Sequence, residues 1–216
     1  QGTPEWHLCR LGIPTASRFA DVLAKGEGKT RARYLRDLAA ETIRGSVEED
    51  TYSNSYMERG HAQEDEARRL YAFRADAEPV RVGFIRDGRK GCSPDSLIGD
   101  DGGLEIKTAL GHIQVERLQK GGLPSEHRAQ VQGSLWVTGR KWWDFISYSR
   151  QFPPLVLRVH RDEAQMALVG AALTSAVKEF DESHAKLLAM KDAHEAPLRA
   201  AYEAKIKEWE RTGIPP

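Results

Sequence analysis

A proline–aspartate step followed by an alternating strand constrains this chain more than any other feature. Cys92-Ser93-Pro94-Asp95 is followed, ten residues beyond the aspartate, by Glu105-Ile106-Lys107. In the second segment Leu104, Ile106 and Thr108 fall on one face of a strand, and Glu105 and Lys107 on the other. Pro94 fixes the chain direction just before the aspartate. If the two segments pair across the Gly-rich turn Gly99-Asp100-Asp101-Gly102-Gly103, the carboxylates of Asp95 and Glu105 meet. Two carboxylates at one spot suit a hard divalent cation. A lysine beside them can orient a water or offset developing charge. The same pattern also fits a charged hairpin with a solvated Glu/Lys face, and taken alone it leaves both readings open.

An upstream segment offers a third carboxylate. Residues 54–73 read as a helix opened by Asn54 or Ser55 as N-cap. Met57, Gly60, Ala67 and Tyr71 form one arc of that helix, with Glu64 in the middle of it. A carboxylate on an apolar face is costly unless it is paired or bound to a cation. Glu64 is therefore either a partner of Arg68 or an oxygen donor to a metal, and the pattern allows both.

The rest of the chain alternates helix and strand. Thr15 is placed to cap a helix over roughly 16–24, and 30–45 reads as a helix closed by Gly45. Strands are expected near 80–86, 91–98 and 103–109, with Asp87-Gly88 as a hairpin turn. A helix over 125–138 carries Val131, Leu135 and Thr138 on one face, and strands follow at 142–149 and 155–160. Trp136, Trp142 and Trp143 read as packing residues. From about 163 to 211 the pattern is helical, with Gln165, Val169, Ala172, Ala176, Phe180 and Leu187 at helical spacing. Pro197 is expected to break or kink this helix. Beyond it Leu198, Ala201, Tyr202, Lys205, Ile206 and Trp209 mark a second amphipathic stretch, either core or a partner surface. No repeat or linker divides the chain, so a single domain over 1–216 is expected.

Charge bounds the kind of ligand. Lys+Arg and Asp+Glu both number 32, a net charge of zero. A protein that coats nucleic acid by overall charge carries a marked basic excess. Any polyanion must therefore be met by local clusters. Lys25, Lys29, Arg31, Arg33 and Arg36 form one dense basic segment broken only by Glu27. With Gly26 and Gly28 it reads as a loop at a channel mouth or as a solvated helix start. The two cysteines, Cys9 and Cys92, lack the paired spacing of a zinc site and point to a reducing cytoplasm. No apolar run approaches a membrane span, and no signal-peptide pattern is visible.

Taken in order, these segments resemble the lambda-type exonucleases, the YqaJ branch of the PD-(D/E)xK nucleases. The resemblance opens at Trp6-His7-Leu8-Cys9-Arg10-Leu11-Gly12-Ile13-Pro14-Thr15-Ala16-Ser17. It continues through Gly60-x(3)-Glu64-x(2)-Ala67-x(3)-Tyr71, Cys92-Ser93-Pro94-Asp95 and Leu104-Glu105-Ile106-Lys107. Gln130-Val131-Gln132-x(2)-Leu135-Trp136-Val137-Thr138 and Trp143-Asp144-Phe145-Ile146-Ser147-Tyr148 follow, and Arg158-Val159-x-Arg161-Asp162-Glu163 closes it.

The resemblance implies an α/β, restriction-endonuclease-like fold with a central mixed sheet flanked by helices, as a single nuclease domain over 1–216 with a helical C-terminal region. It implies a Mg²⁺-dependent exonuclease that degrades one strand of double-stranded DNA from its 5′ end. The products would be 5′-mononucleotides and a 3′ single strand, with two ions bound and Mn²⁺ able to substitute. By position, Glu64, Asp95, Glu105 and the carbonyl of Ile106 match metal ligands, and Lys107 matches the catalytic lysine. Arg10, Ser17, Ser93 and Gln130 match a pocket for the terminal 5′-phosphate. Arg10 and Ser17, expected near a helix N-terminus, suit an anion. A Gln beside a core face, such as Gln130, more often satisfies backbone. Asp87 matches another acidic position but fits the hairpin turn better. The resemblance also implies a homotrimeric ring, a single-strand annealing partner and a phage or prophage setting in a bacterial cytoplasm. Ser96 stands where the family often has Gly, Thr108-Ala109 replaces a common Cys-Pro, and 26–52 matches poorly. The alternatives are a nuclease of other polarity, an endonuclease, or a DNA-end binding module without activity.

Overall fold

The structure, a computed structural model, describes residues 1–24, 28–46 and 55–213, with the backbone alone for 55–62. Helix α1 spans Pro4–Arg10, opened by the Thr3 hydroxyl, which accepts from the Trp6 amide, and by Pro4 in the first turn. A 3₁₀ turn, Ala16–Arg18, leads into the short α2, Phe19–Val22. Helix α3, Lys29–Arg44, closes on Gly45 in the left-handed region at φ +75°. Helix α4 spans Ser55–Ala75. The strands are β1 Pro79–Val80, β2 Ile85–Asp87, β3 Lys90–Cys92, β4 Ser96–Ile98 and β5 Gly102–Thr108. Then come α5 Gly111–Lys120, α6 Ser125–Thr138, β6 Trp142–Tyr148, β7 Leu155–His160 and α7 Glu163–Thr212.

One sheet of five strands runs in the order β1-β4-β5-β6-β7, and β2 and β3 form a separate hairpin. The sheet is mixed: β4 and β5 are antiparallel, β5 and β6 parallel, β6 and β7 antiparallel. Helices flank it, so the expected α/β class with a central mixed sheet is the observed one. On one face Leu104, Ile106 and Ile146 pack with Ala67 and Tyr71 of α4. On the other, Trp143 and Phe145 pack with Val131 and Leu135 of α6 and Met166 of α7. A further cluster joins Phe19, Tyr34, Leu35 and Leu38 to Val169, Leu173, Ala176 and Phe180 of α7.

Several elements differ from the sequence expectation for identifiable reasons. The single strand expected over 91–98 is two strands, because Pro94 cannot donate to a ladder and Ser93-Pro94-Asp95 leaves the sheet between them. The strand expected over 80–86 likewise resolves into β1 and β2. The helix expected over 16–24 is a 3₁₀ turn plus one α-turn. Thr15 makes no side-chain cap; its hydroxyl pairs with Ser17 Oγ at 3.1 Å. Gly102 and Gly103 are strand residues rather than turn residues. A Cβ on Gly102 would collide with the Trp142 ring, and one on Gly103 with the Trp143 ring. Pro197 does not break α7, which runs through it as one helix. The apolar stripe of α7 is core only as far as Phe180; Leu187, Leu198, Tyr202 and Trp209 are exposed. Helices α1 and α5 had no expectation. The expected positions of Lys25, the Asn54 cap and the Met57 side chain lie outside the described residues.

A buried charge fastens α4 to the sheet. Asp144 on β6 is 3% exposed and accepts two hydrogen bonds from Arg158, its cross-strand neighbour on β7, at 2.9 and 2.8 Å. Its third partner is the Tyr71 hydroxyl of α4, at 2.7 Å. The Arg158 guanidinium carbon also lies over Trp142, 3.8 Å from the ring centroid. Removing one partner of a buried pair strands the other charge. Arg158→Ala should therefore cost about 2–3 kcal/mol, less than a fully enclosed pair because the arginine is half exposed. Tyr71→Phe should cost about 1 kcal/mol. Urea denaturation of the two variants checks the order; a smaller loss for Arg158→Ala than for Tyr71→Phe would contradict it.

Candidate active site

The β4–β5 pairing builds the centre of the site. Ser96 lies opposite Leu104, so Asp95, one residue before β4, falls beside Glu105. The Asp95 carboxylate is held there by the Ile106 amide, which donates to Oδ2 at 2.5 Å. Glu105 is 2% exposed, and one of its oxygens, Oε1, receives both Lys107 Nζ and Gln130 Nε2 at 2.6 Å. Gln130 reaches it from α6, so its amide donates to a side chain rather than to backbone.

The electrostatics follow from crowding acids around one lysine. Loss of solvation, then the charge of Glu105, raises the Asp95 pKa well above the usual carboxylate range; Glu64 adds to this, while the Ile106 amide and Lys107 offset part of it. Burial pulls the Lys107 pKa down, but Glu105, Asp95 and Glu64 together outweigh it and leave it raised. Lys107 is thus a firmly charged ammonium. The Cys92 thiol, on the floor of the same cleft, is pushed up to about 12 by burial and by Glu105, which makes it inert.

Glu64 makes the ion pair that the sequence pattern allowed. Its carboxylate pairs with Arg68, four residues on in α4. Arg68 proves to be a hub, where the sequence pattern suggested only a possible partner for Glu64. It also pairs with Asp65, donates to Ser96 Oγ at 3.0 Å and reaches the Asp95 carbonyl at 3.5 Å. The Ser96 hydroxyl is fully buried, takes the Arg68 bond and donates to the Asp95 carbonyl at 2.6 Å. Among the described residues no three acidic, His or Cys side chains converge as a ready-made cage for a metal ion. The donor set nonetheless fits a hard cation. Asp95 and Glu105 stand side by side with the Lys107 ammonium on Glu105, the Ile106 carbonyl is adjacent in the chain, and Glu64 is close enough to raise the Asp95 pKa.

Arg10, Ser17, Ser93 and Gln130, far apart in sequence, line one cleft of about 230 Å³ together with Asp95, Glu105 and Lys107. The helix N-terminus expected near Arg10 and Ser17 is present only as a 3₁₀ turn at Ser17. Arg10 is the last residue of α1, where its charge suits the carbonyl end, and Ser17 sits in the 3₁₀ turn. Asp87 is outside the cleft. It ends β2, turns through Gly88 and pairs with Lys90. Of the basic segment, Arg31 pairs with Glu179 of α7, and Arg33 and Arg36 are both exposed. Trp6 and Thr15 also line the cleft, as do Gln1 and Ser134.

Comparison with known proteins decides the family. The family model described as the YqaJ-like viral recombinase domain matches residues 5–141. The chain belongs to this family. No curated protein sequence matches it. Among solved structures it is similar to an alkaline exonuclease, LHK-Exo, from Laribacter hongkongensis. In complex with dAMP that protein is 32% identical at a TM-score of 0.80, with 91% of this chain and 100% of that chain covered. A second structure of LHK-Exo gives the same identity and TM-score over 89% of this chain and 99% of that chain. A phage related exonuclease from Haemophilus somnus 129PT shares the fold, at a TM-score of 0.61, 14% identity and coverage of 81% and 96%. The chain is a PD-(D/E)xK nuclease of the phage-type exonuclease group. No helix among the described residues is long and apolar enough to cross a membrane.

The raised Asp95 pKa has a consequence for stability. A carboxyl with a raised folded pKa contributes stability fully present below its unfolded pKa and lost as pH rises through the folded value. Metal-free protein at neutral pH therefore carries this penalty. Asp95→Asn keeps an acceptor for the Ile106 amide and removes the charge. It should raise the melting temperature in chelator by a few degrees, roughly 1 kcal/mol, and should reduce any stabilisation that added Mg²⁺ gives relative to the wild type. Thermal melts with EDTA and with Mg²⁺ read both effects; a lower melting temperature for the variant in EDTA would contradict the argument.

Proposed function

We propose that this nuclease is a divalent-metal-dependent 5′→3′ exonuclease on double-stranded DNA ends. It would release 5′-mononucleotides and leave a 3′ single strand for recombination. The reading is supported above all by one juxtaposition: Arg10, Ser17, Ser93 and Gln130 line the same cleft as Asp95, Glu105 and Lys107. An arginine and hydroxyls beside a hydrolytic centre suit a terminal phosphate one nucleotide from the bond to be cut. That arrangement favours an exonuclease with a 5′ start over an endonuclease, which has no terminal group to hold. The relative LHK-Exo is described as an alkaline exonuclease and was crystallised with dAMP, a mononucleotide.

In this reading Asp95, Glu105, the Ile106 carbonyl and Glu64 hold Mg²⁺, as two ions, with Mn²⁺ able to substitute. Bound there, the metal supplies Lewis-acid chemistry: it lowers the pKa of a water and neutralises charge at the phosphate. Glu64 must exchange Arg68 for the cation, and Arg68 keeps Asp65, Ser96 and the Asp95 carbonyl. Lys107, a charged ammonium, orients the attacking water and stabilises charge on the phosphate. Gln130 keeps the Glu105 carboxylate turned into the cleft. Arg10, Ser17 and Ser93 bind the end phosphate and set the register of the strand.

Lys107→Ala should lower cleavage by at least about 10³-fold, the scale of a lost charge-stabilising group, while duplex binding in Ca²⁺ persists. Digestion of end-labelled duplexes reads activity and polarity together: label at the 5′ end should appear first as mononucleotide. Release from the 3′ end first, or internal cuts in a closed circle, would replace this reading with one of the other nuclease modes.

A neutral chain holds DNA poorly by overall charge, and we propose that it works as a homotrimeric ring around the duplex, beside a single-strand annealing partner. A cyclic trimer needs two different matching patches. Light scattering should give three times the chain mass of 24.2 kDa. A stable monomer that still digests long duplexes without dissociating would contradict the ring.

A further inference from the structure

One aromatic ring touches two of the residues that line the cleft. The indole Nε1–H of Trp6 donates to Ser93 Oγ at 3.0 Å. The guanidinium carbon of Arg10 lies 4.0 Å from the centroid of the same ring. Trp6 and Arg10 are one helical turn apart on α1, so the ring and the guanidinium share a face. Ser93 comes from the β3–β4 break, where Pro94 and Asp95 leave the sheet. Trp6 therefore ties the α1 side of the cleft to the loop that carries Asp95.

We infer that Trp6 is a positioning residue that sets the enzyme's preference for a 5′-phosphate end, an inference that rests on the phosphate-pocket reading above. Two physical effects carry it. First, an indole N–H can only donate. Ser93 Oγ must therefore accept from Trp6, and its own proton is turned away from the ring. The contact converts a hydroxyl that could donate or accept into a standing donor, as an anion needs. Second, the Trp6 face restrains the position of the Arg10 guanidinium. Among the described residues that guanidinium forms no hydrogen bond, and its partners are the ring and, chiefly, the charge of Glu41. Burial lowers the Arg10 pKa, with Glu41 offsetting part of the shift. Arg10 is thus a partly desolvated cation with its donors uncommitted, and stacking fixes where they point. Preorganised donors lose less side-chain entropy when phosphate arrives.

The two effects separate by substitution. Trp6→Phe keeps an aromatic face for Arg10 and removes the N–H. Trp6→Leu removes both. The measurement is kcat/KM on duplexes ending in 5′-phosphate and 5′-hydroxyl, with wild type, the two Trp6 variants, Arg10→Ala, Ser93→Ala and Trp6→Phe/Ser93→Ala. The hydroxyl-ended rate is the control for general damage. Trp6→Phe should reduce the phosphate preference roughly five- to tenfold, the effect of one hydrogen bond. Trp6→Leu should approach the preference of Arg10→Ala. Once Ser93 is alanine, adding Trp6→Phe should change the preference by less than about twofold, because the N–H has lost its partner.

A wild type without any phosphate preference would overturn the pocket reading itself. A wild type with a strong preference, retained by both Trp6 variants while both rates fall equally, would leave the pocket standing and overturn the role of Trp6. Effects of Trp6→Phe and Ser93→Ala that multiply independently would overturn that role as well.

Discussion

The hydrogen bond from the Ile106 amide to the Asp95 carboxylate is the contact on which the rest of the site depends. It joins the residue just before β4 to the middle of β5, the central strand. Leu104 and Ile106 of β5 pack against α4 on one face, and Gln130 of α6 reaches Glu105 on the other. Asp95 inherits that rigidity through one bond. Pro94 makes it possible by ending the ladder before Asp95, so that the side chain, rather than the main chain, meets the next strand. The same antiparallel register places Glu105 alongside.

Two acids held this closely are unfavourable without cations, and the fold surrounds them with graded compensation. Lys107 and Gln130 occupy one oxygen of Glu105. Arg68 occupies Glu64 and braces the Asp95 carbonyl directly and through Ser96. The residual strain shows in the raised Asp95 pKa. In the proposed function a divalent cation would balance these acids, and part of the molecule's stability would be held back until it binds. The structural pair Asp144–Arg158 is the opposite case, an acid fully answered by an arginine fork and a tyrosine hydroxyl. It sits on the neighbouring strand and fixes α4, which carries Glu64 and Arg68. The stable charge thus positions the strained ones.

Much of this was legible in one dimension. The alternation around Glu105 and Lys107, the apolar arc with Glu64, and the Gln130 helix all lie within single elements, where spacing of two or 3.6 residues reports a shared face. Other features were not legible because they depend on a distant neighbour. Gly102-Gly103 looks like a turn, yet it is strand because Trp142 and Trp143 fill the space where side chains would be. Thr15 looks like a helix cap, yet its hydroxyl goes to Ser17 and its amide to the Tyr34 hydroxyl. The break expected at Pro197 lies in a helix exposed on that stretch, where the loss of one amide donor leaves α7 continuous.

By itself the sequence determined the kind of chemistry: an aspartate after a proline and an alternating Glu-x-Lys strand are local patterns, and local patterns fix which side chains share a face. It also carried the order of motifs that marks the family. Only the tertiary structure decided how those groups are held. Arg68 as a hub, the use of Ser96, Gln130 turned to Glu105 rather than to backbone, and Trp6 bridging Arg10 and Ser93 all join residues from different elements. No periodicity records such contacts, since they arise when β3, β4, β5, α1, α4 and α6 pack together and each remaining donor must find its acceptor.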